Sequence, residues 1–244
     1  MVSCIIFLNS KGTRFTGINY LIIKEEISNF KKITDFYERH NNYKRLVKKI
    51  NNNDKKKDKQ ILDITNWVYR NIKKISTGND IIDSHPWTII ERKLGANDQF
   101  SDILSILLVY SDIDSFFISE FNKINNPLTF FKYKNNWSLI DPYHGFYFLN
   151  TKNQFCNLNE HKYKKCIIYH LEFGKVTNDN LNKIFYNKNF ENLTKLNSYY
   201  NFLLKDLPES EIIDSINIYH RGGRSYIQKP FHRLIYQFQN LINY

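Results

Sequence analysis

Residues 94–108, LGANDQFSDILSILL, and residues 135–148, NNWSLIDPYHGFYF, decide how the rest of the chain is read. In the first stretch Gly95 permits a tight entry, and Ile103, Leu104, Leu107 and Leu108 then recur at three-to-four spacing. That period predicts a helix over 98–110 with one apolar face. Asn97 or Asp98 suits its N-cap, because either side chain can accept from the free amides of the first turn. In the second stretch Asn135-Asn136 predicts a hairpin turn, since asparagine tolerates positive φ. Residues 137–140 and 146–149 read as strands, as do 113–119 and 128–133 upstream. Helix, strand and hairpin in this order predict an α+β fold.

The residues that carry this pattern resemble the core of the transglutaminase-like superfamily, the papain-related thiol fold. They are Gly95, Asp98-Gln99, Ser101, the apolar helix face, and a closing W-x-x-x-D-P-x-x-G strand formed by Trp137, Asp141, Pro142 and Gly145. The resemblance covers roughly residues 60–150. It implies a core of helices packed on an antiparallel sheet, with helical additions at both ends. In the family a cysteine stands two residues after the glycine and a histidine stands upstream of the tryptophan. Here those places hold Asn97 and, depending on the alignment of the loop, Asn126 or Pro127, while Asp141 matches the family's acid.

A thiol mechanism needs a cysteine activated at a helix N-terminus, a histidine to take its proton and an acid to orient the imidazole. Asn97 has no ionisable proton and is no usable nucleophile. The resemblance therefore implies a kept scaffold that has lost its catalytic cysteine and histidine. Its former cleft, around Asn97, Asp98, Gln99, Asn126 and Asp141, would bind a glycan or a peptide, with Trp137 as a further binding residue. Bacterial relatives of this pattern are often associated with cell-surface polysaccharide genes, so the resemblance also implies a part in polysaccharide assembly.

An alternative is a hydrolase or acyltransferase that uses other groups in the same cleft, such as Asp98 and Asp141 with a histidine. His85 precedes a proline and reads as a loop histidine, and His144 reads as an exposed turn residue. Ser101 and Ser105 lie inside the helix, where hydroxyls bond the preceding turn, and no G-x-S-x-G elbow occurs. Asp98 and Asp102 share a helix face, but the helix dipole already accounts for an aspartate there. Cys-x-x-Cys spacing is absent, so no metal and no cofactor are expected. Cys4, Cys156 and Cys166 form neither a metal spacing nor a disulfide framework, and their odd number points to a reducing cytoplasm.

The chain has 244 residues, of which 42% are hydrophobic and 16% aromatic, enough for a substantial core. Residues 1–59 are expected to form a helical segment and a Lys/Asn-rich linker, 60–150 the core, and 151–244 a mainly helical extension. Within the first unit a helix is predicted over 18–43, and residues 44–59 read as a flexible basic loop. Residues 81–94 read as an irregular connector, because His85-Pro86 forbids a continuous helix. The opening MVSCIIFL has no basic n-region and falls short of the roughly 20 apolar residues of a membrane span, so a soluble protein is expected.

A formal charge of +11 raises a third class, a basic protein that binds nucleic acid or an anionic membrane surface. Nucleic acid is the less favoured partner, because the lysine and asparagine content follows A/T-rich codon usage. Near the C-terminus Arg221 and Arg224 flank a Gly-Gly turn that would let an anion approach the backbone. The basic aromatic helix beyond it could lie on an anionic membrane.

Overall fold

The computed structural model describes residues 2–16, 23–51, 56–75, 85–118, 126–162, 165–184 and 192–204. The elements run α1 (Val2–Asn9), β1 (Lys11–Thr16), β2 (Ile23–Ser28), α2 (Asn29–Ile50), α3 (Lys57–Asn71), β3 (Lys73–Lys74), α4 (Pro86–Arg92), β4 (Leu94–Gly95) and α5 (Asn97–Val109). They continue as β5 (Ser115–Ile118), β6 (Leu128–Tyr133), β7 (Asn136–Asp141), β8 (Phe146–Leu149), α6 (Leu158–Lys162), β9 (Ile167–His170), β10 (Gly174–Lys175), α7 (Asn178–Ile184) and α8 (Leu193–Leu203). The fold is α+β. Its main sheet is a six-stranded antiparallel meander in the order β10-β9-β8-β7-β6-β5.

Period-two alternation along the strands gives the sheet two apolar faces. Phe131 and Ile140 face α2, α3, α4 and α5, where they join Val47, Ile61, Ile64, Val68, Ile89, Leu104 and Leu107. Phe130, Trp137, Leu139, Phe146 and Phe148 face the other way and are covered by Leu181 of α7 and Leu196, Tyr200 and Leu203 of α8. Helices packed on an antiparallel sheet in this way are compatible with a papain-like core. The sheet does not stop at residue 150: β9 and β10 complete it from further along the chain.

Several local expectations need correction. Where a helix was expected from residue 18, β1 and β2 pair as an antiparallel hairpin, and α2 begins only after Ser28, whose hydroxyl accepts from the Lys31 N–H. The basic run is mostly helical, since α2 extends to Ile50 and α3 starts at Lys57. Lysine is a good helix former, and buried Tyr43 and Val47 hold that end of α2 on the core. Pro86 does not leave a loop but starts α4 at its first position, with His85 Nδ1 accepting from the Trp87 N–H at 3.2 Å.

Helix α5 begins one residue earlier than expected. Ala96 is its N-cap, and the Gln99 side chain reaches back to the Ala96 N–H at 3.1 Å. The β6–β7 turn likewise sits one residue earlier, with Lys134 and Asn135 both at positive φ and Tyr133 paired with Asn136. Cys156 and Cys166, expected to form no disulfide framework, form a disulfide with Cα atoms 5.9 Å apart. Sheet pairing causes this: the 155–157 segment lies along β8 and β7, and β9 returns beside β8. The cysteine argument for a reducing compartment therefore loses its basis. Among the described residues no helix is long and apolar enough to cross a membrane.

Candidate functional site

The start of α5 is fixed by its neighbours. Parallel pairing of β3 with β4 sets Lys74 beside Gly95. A side chain at Gly95 would meet Ile72 and Ile89 methyl carbons at 3.2 Å, so glycine allows α3, α4 and α5 to converge there. On the sheet side the Ser101 hydroxyl donates to the Pro127 carbonyl at 3.1 Å, and the Thr129 hydroxyl donates to the Ser101 carbonyl at 3.2 Å. These bonds seat the helix against the entry to β6.

At the end of β7, Asp141 is fully buried yet fully satisfied. Its Oδ2 accepts from Tyr200 Oη at 2.8 Å and from Asn126 Nδ2 at 3.3 Å, and lies 2.8 Å from His144 Nδ1. Its Oδ1 accepts from the His144 backbone N–H at 3.0 Å. Burial opposes ionisation, but the facing His144, its backbone amide and the Tyr200 hydroxyl together hold the Asp141 carboxyl below its ordinary value. Burial, and then the Asp141 charge, push the Tyr200 phenol well above its usual value, so it stays a donor.

An ionised carboxylate only accepts, so His144 carries its proton on Nδ1 and presents Nε2 as the basic ring position when neutral. The His144 side chain is 28% exposed. Gly145 follows at φ +77°, and a side chain there would come within 2.8 Å of the Tyr69 ring and 3.2 Å of His170 Nε2. The turn that delivers His144 thus needs glycine for both conformation and space.

His170, on β9, lies two strands from Asp141. The register pairs Asp141 with Phe146 and Phe146 with His170, so acid, phenyl ring and second imidazole form a row across the sheet. Burial lowers the His170 pKa, and its Nδ1 accepts from the Glu172 N–H at 3.1 Å. Tyr143 bridges to α5, with its ring edge-on to Phe100 at 5.2 Å and to His144 at 5.1 Å. The Lys74 ammonium lies over the Tyr143 ring at 4.6 Å.

The structure therefore brings Asn126, Asp141 and His144 into one hydrogen-bonded cluster. Of the two loop residues, Asn126 touches the acid through its side-chain amide. Asn97 is the first residue of α5, its Oδ1 accepting from the Asp98 N–H at 2.8 Å, and the Phe100–Tyr143 ring contact and the Ser101–Pro127 bond lead from that helix toward the cluster. Asp98 is exposed on the first turn of α5.

Two expected binding residues are structural instead. Gln99 is buried, and its amide oxygen is occupied by the Ala96 N–H and by Arg92 at 3.0 Å. Trp137 is 1% exposed and packs against Phe116 in the second apolar layer, because it faces away from α5. Arg221 and Arg224 lie outside the described residues. His144, expected as an exposed turn residue, is half-buried against Asp141, because the aspartate's two oxygens fold the turn back on itself.

Tyr200 and His170 could not be read from the sequence as site residues. Tyr200 is 59 residues from its partner, and His170 reaches the site only through strand pairing. The Asp-Pro-x-His order was the one signal available for His144. Away from this cluster, Lys56, Lys57 and Lys59 of the basic run meet Lys132, Lys134 and Lys152 around an open groove that also holds Asp58, Asp112 and Asp114.

No protein-family model and no curated protein matches this sequence. A solved structure from Cytophaga hutchinsonii, provisionally assigned as a cysteine protease, is similar over 43% of this chain at 19% identity and a TM-score of 0.37. This chain spans 37% of that protein's length.

Proposed function

We propose that the chain is a hydrolase or acyltransferase that works without a thiol, with His144 as general base and Asp141 as the group that orients it. The observation that carries this reading is the 2.8 Å contact between His144 Nδ1 and the buried Asp141 carboxylate. An imidazole fixed by an acid can take a proton from water or a substrate hydroxyl and return it to a leaving group. Asn126 and Tyr200 are positioning residues, since they act through Asp141. Asn97 excludes the family's cysteine chemistry at α5. A glycan ester or a peptide amide is the substrate class in keeping with the exposed polar start of α5.

A second reading follows from Asn97 itself: the site has lost its nucleophile and only binds, as part of surface-polysaccharide assembly. One experiment separates the two. The full chain is assayed on p-nitrophenyl acetate, acetylated xylan and a glutamine-containing peptide, with and without hydroxylamine as acyl acceptor. The enzyme reading expects turnover that survives iodoacetamide and falls on the order of 10²–10⁴-fold in His144→Gln. Turnover that His144→Gln leaves unchanged overturns it. Saturable binding of xylan or peptide without turnover gives the second reading its support. A cytoplasmic setting belongs to the same proposal, and there Cys156 and Cys166 would stand as thiols.

A further inference from the structure

Cys156, His161 and Cys166 bring their ligand atoms within 4.8 Å of one another, with Phe148 standing between His161 and Tyr200 of the Asp141 cluster. The spacing is Cys-x-x-x-x-His-x-x-x-x-Cys, which no short motif announces. Asn157 and Glu160 cap each other's backbone at 2.9 Å in both directions, and this fixes the α6 turn that carries His161. The Lys165 N–H donates to the Glu160 carbonyl at 2.9 Å, which brings the chain back just before Cys166. Cys156 is 1% exposed and is held by its own N–H donating to the Phe148 carbonyl at 3.0 Å. The three donors are thus set in place by backbone bonds, not by the disulfide alone.

The second observation is His161. It is 7% exposed, packs edge-on to Phe148 at 4.8 Å, and its Nε2 has no hydrogen-bond partner. Buried ring nitrogens are ordinarily paired, and a buried imidazole with an unpartnered nitrogen, on a ring that stands beside two sulfurs, offers a ligand to a cation. We propose that the reduced form of this loop binds one zinc ion through Cys156, His161 and Cys166, so that disulfide and metal are alternative states of one site.

The donor chemistry fits: two thiolates and an imidazole suit Zn²⁺, and a fourth position is left to water on the half-buried Cys166 side. Tetrahedral Zn–S bonds of ~2.3 Å place two sulfurs about 3.8 Å apart. The sulfurs therefore need only separate within the space the three donors already span.

The states exchange by ordinary chemistry. A dithiol reductant attacks one sulfur through its thiolate, and its second thiol then displaces the mixed disulfide. Cys156 and Cys166 gain two electrons and two protons, and the reagent leaves as its own disulfide. Zinc then displaces the two thiol protons, which pass to solvent. With zinc bound, the sulfur lone pairs that would attack an oxidant are engaged by the metal.

The test uses the full chain carrying Cys4→Ser, reduced with a phosphine and desalted without oxygen, then titrated with zinc chloride or cobalt chloride. Expected are one equivalent bound, a sulfur-to-cobalt charge-transfer absorption bleached by zinc, and zinc protection of Cys156 and Cys166 from iodoacetamide. The disulfide form of the same protein should bind none. His161→Asn should weaken zinc by more than the roughly 10–100-fold that losing an outer partner costs. Its fold is verified by circular dichroism in the disulfide state. Reduced, alkylatable protein that binds no zinc overturns the proposal, as does a cobalt signature that survives Cys166→Ser. The protection measurement needs no change at the three ligands, so misfolding of a variant does not obscure the result.

Discussion

Replacing Tyr200 by phenylalanine removes one oxygen from the interior and tests whether Asp141 is held as a buried carboxylate. The Tyr200 hydroxyl donates to Asp141 Oδ2 at 2.8 Å, and both groups are buried. A hydrogen bond to a charged acceptor is worth ~1.5–3 kcal/mol. At ~1.36 kcal/mol per pKa unit, its loss raises the folded-state pKa of Asp141 by about one to two units. For a chain of this size each kcal/mol moves Tm by about 2–4 °C, which gives a fall of roughly 3–12 °C at neutral pH.

The pH dependence carries the test. Asp141 is depressed in the folded state, so its stabilising contribution is present above the unfolded value near ~3.9 and is lost as pH falls through the folded value. In Tyr200→Phe that loss begins at higher pH. Below both values the acid is neutral and the variant and parent converge. Urea denaturation from pH 2 to 8 measures the difference directly. A double-mutant cycle with Asp141→Asn should show coupling between the two sites. A difference that is the same at every pH, or purely additive effects, would refute a charged Asp141 at the centre of this cluster.

Gly145→Ala should destabilise by about 2–4 kcal/mol, combining positive φ with the Tyr69 contact, and should lower turnover by displacing His144; thermal melts and the ester assay both read it. Leu104→Ala opens the core under the sheet and should cost about 2–5 kcal/mol by urea denaturation without changing the pH profile of any activity. Reducing the Cys156–Cys166 disulfide, which closes a short loop at a separation of 10, should cost about 2–3 kcal/mol in melts, with zinc restoring part of the loss. Burial pushes the His161 imidazole down to about 3, so the unfolded chain binds more protons below ~6.5 and stability falls as pH drops from there toward 3; His161→Phe should flatten that slope of up to ~1.4 kcal/mol per unit. Asn97→Cys should create a thiol at the first position of α5 with a pKa below ~8.5, read by the pH dependence of its alkylation.

What the sequence determined by itself was local and periodic. The apolar spacing of Ile103, Leu104 and Leu107 is enough for α5, and alternation through Phe130, Trp137 and Leu139 is enough for β6 and β7, because burial of one face follows directly from period. It also settled what Asn97 cannot do, since that depends on functional-group chemistry and not on position. Element ends drifted by a residue where a neighbour's side chain decided them, as Gln99 did for α5. The hairpin at β1–β2 was missed because its apolar residues also suit a helical period.

The chemistry of the site was decided by tertiary structure. Asp141 is a buried anion because the 142–145 turn sets His144 against it and Tyr200 arrives from α8. His144 leaves the solvent only because Gly145 can turn beneath Tyr69. The Cys156–His161–Cys166 cluster exists only because β9 returns beside β8. Hydrogen-bond partners and burial are set by which segments meet, and one-dimensional spacing does not contain that information.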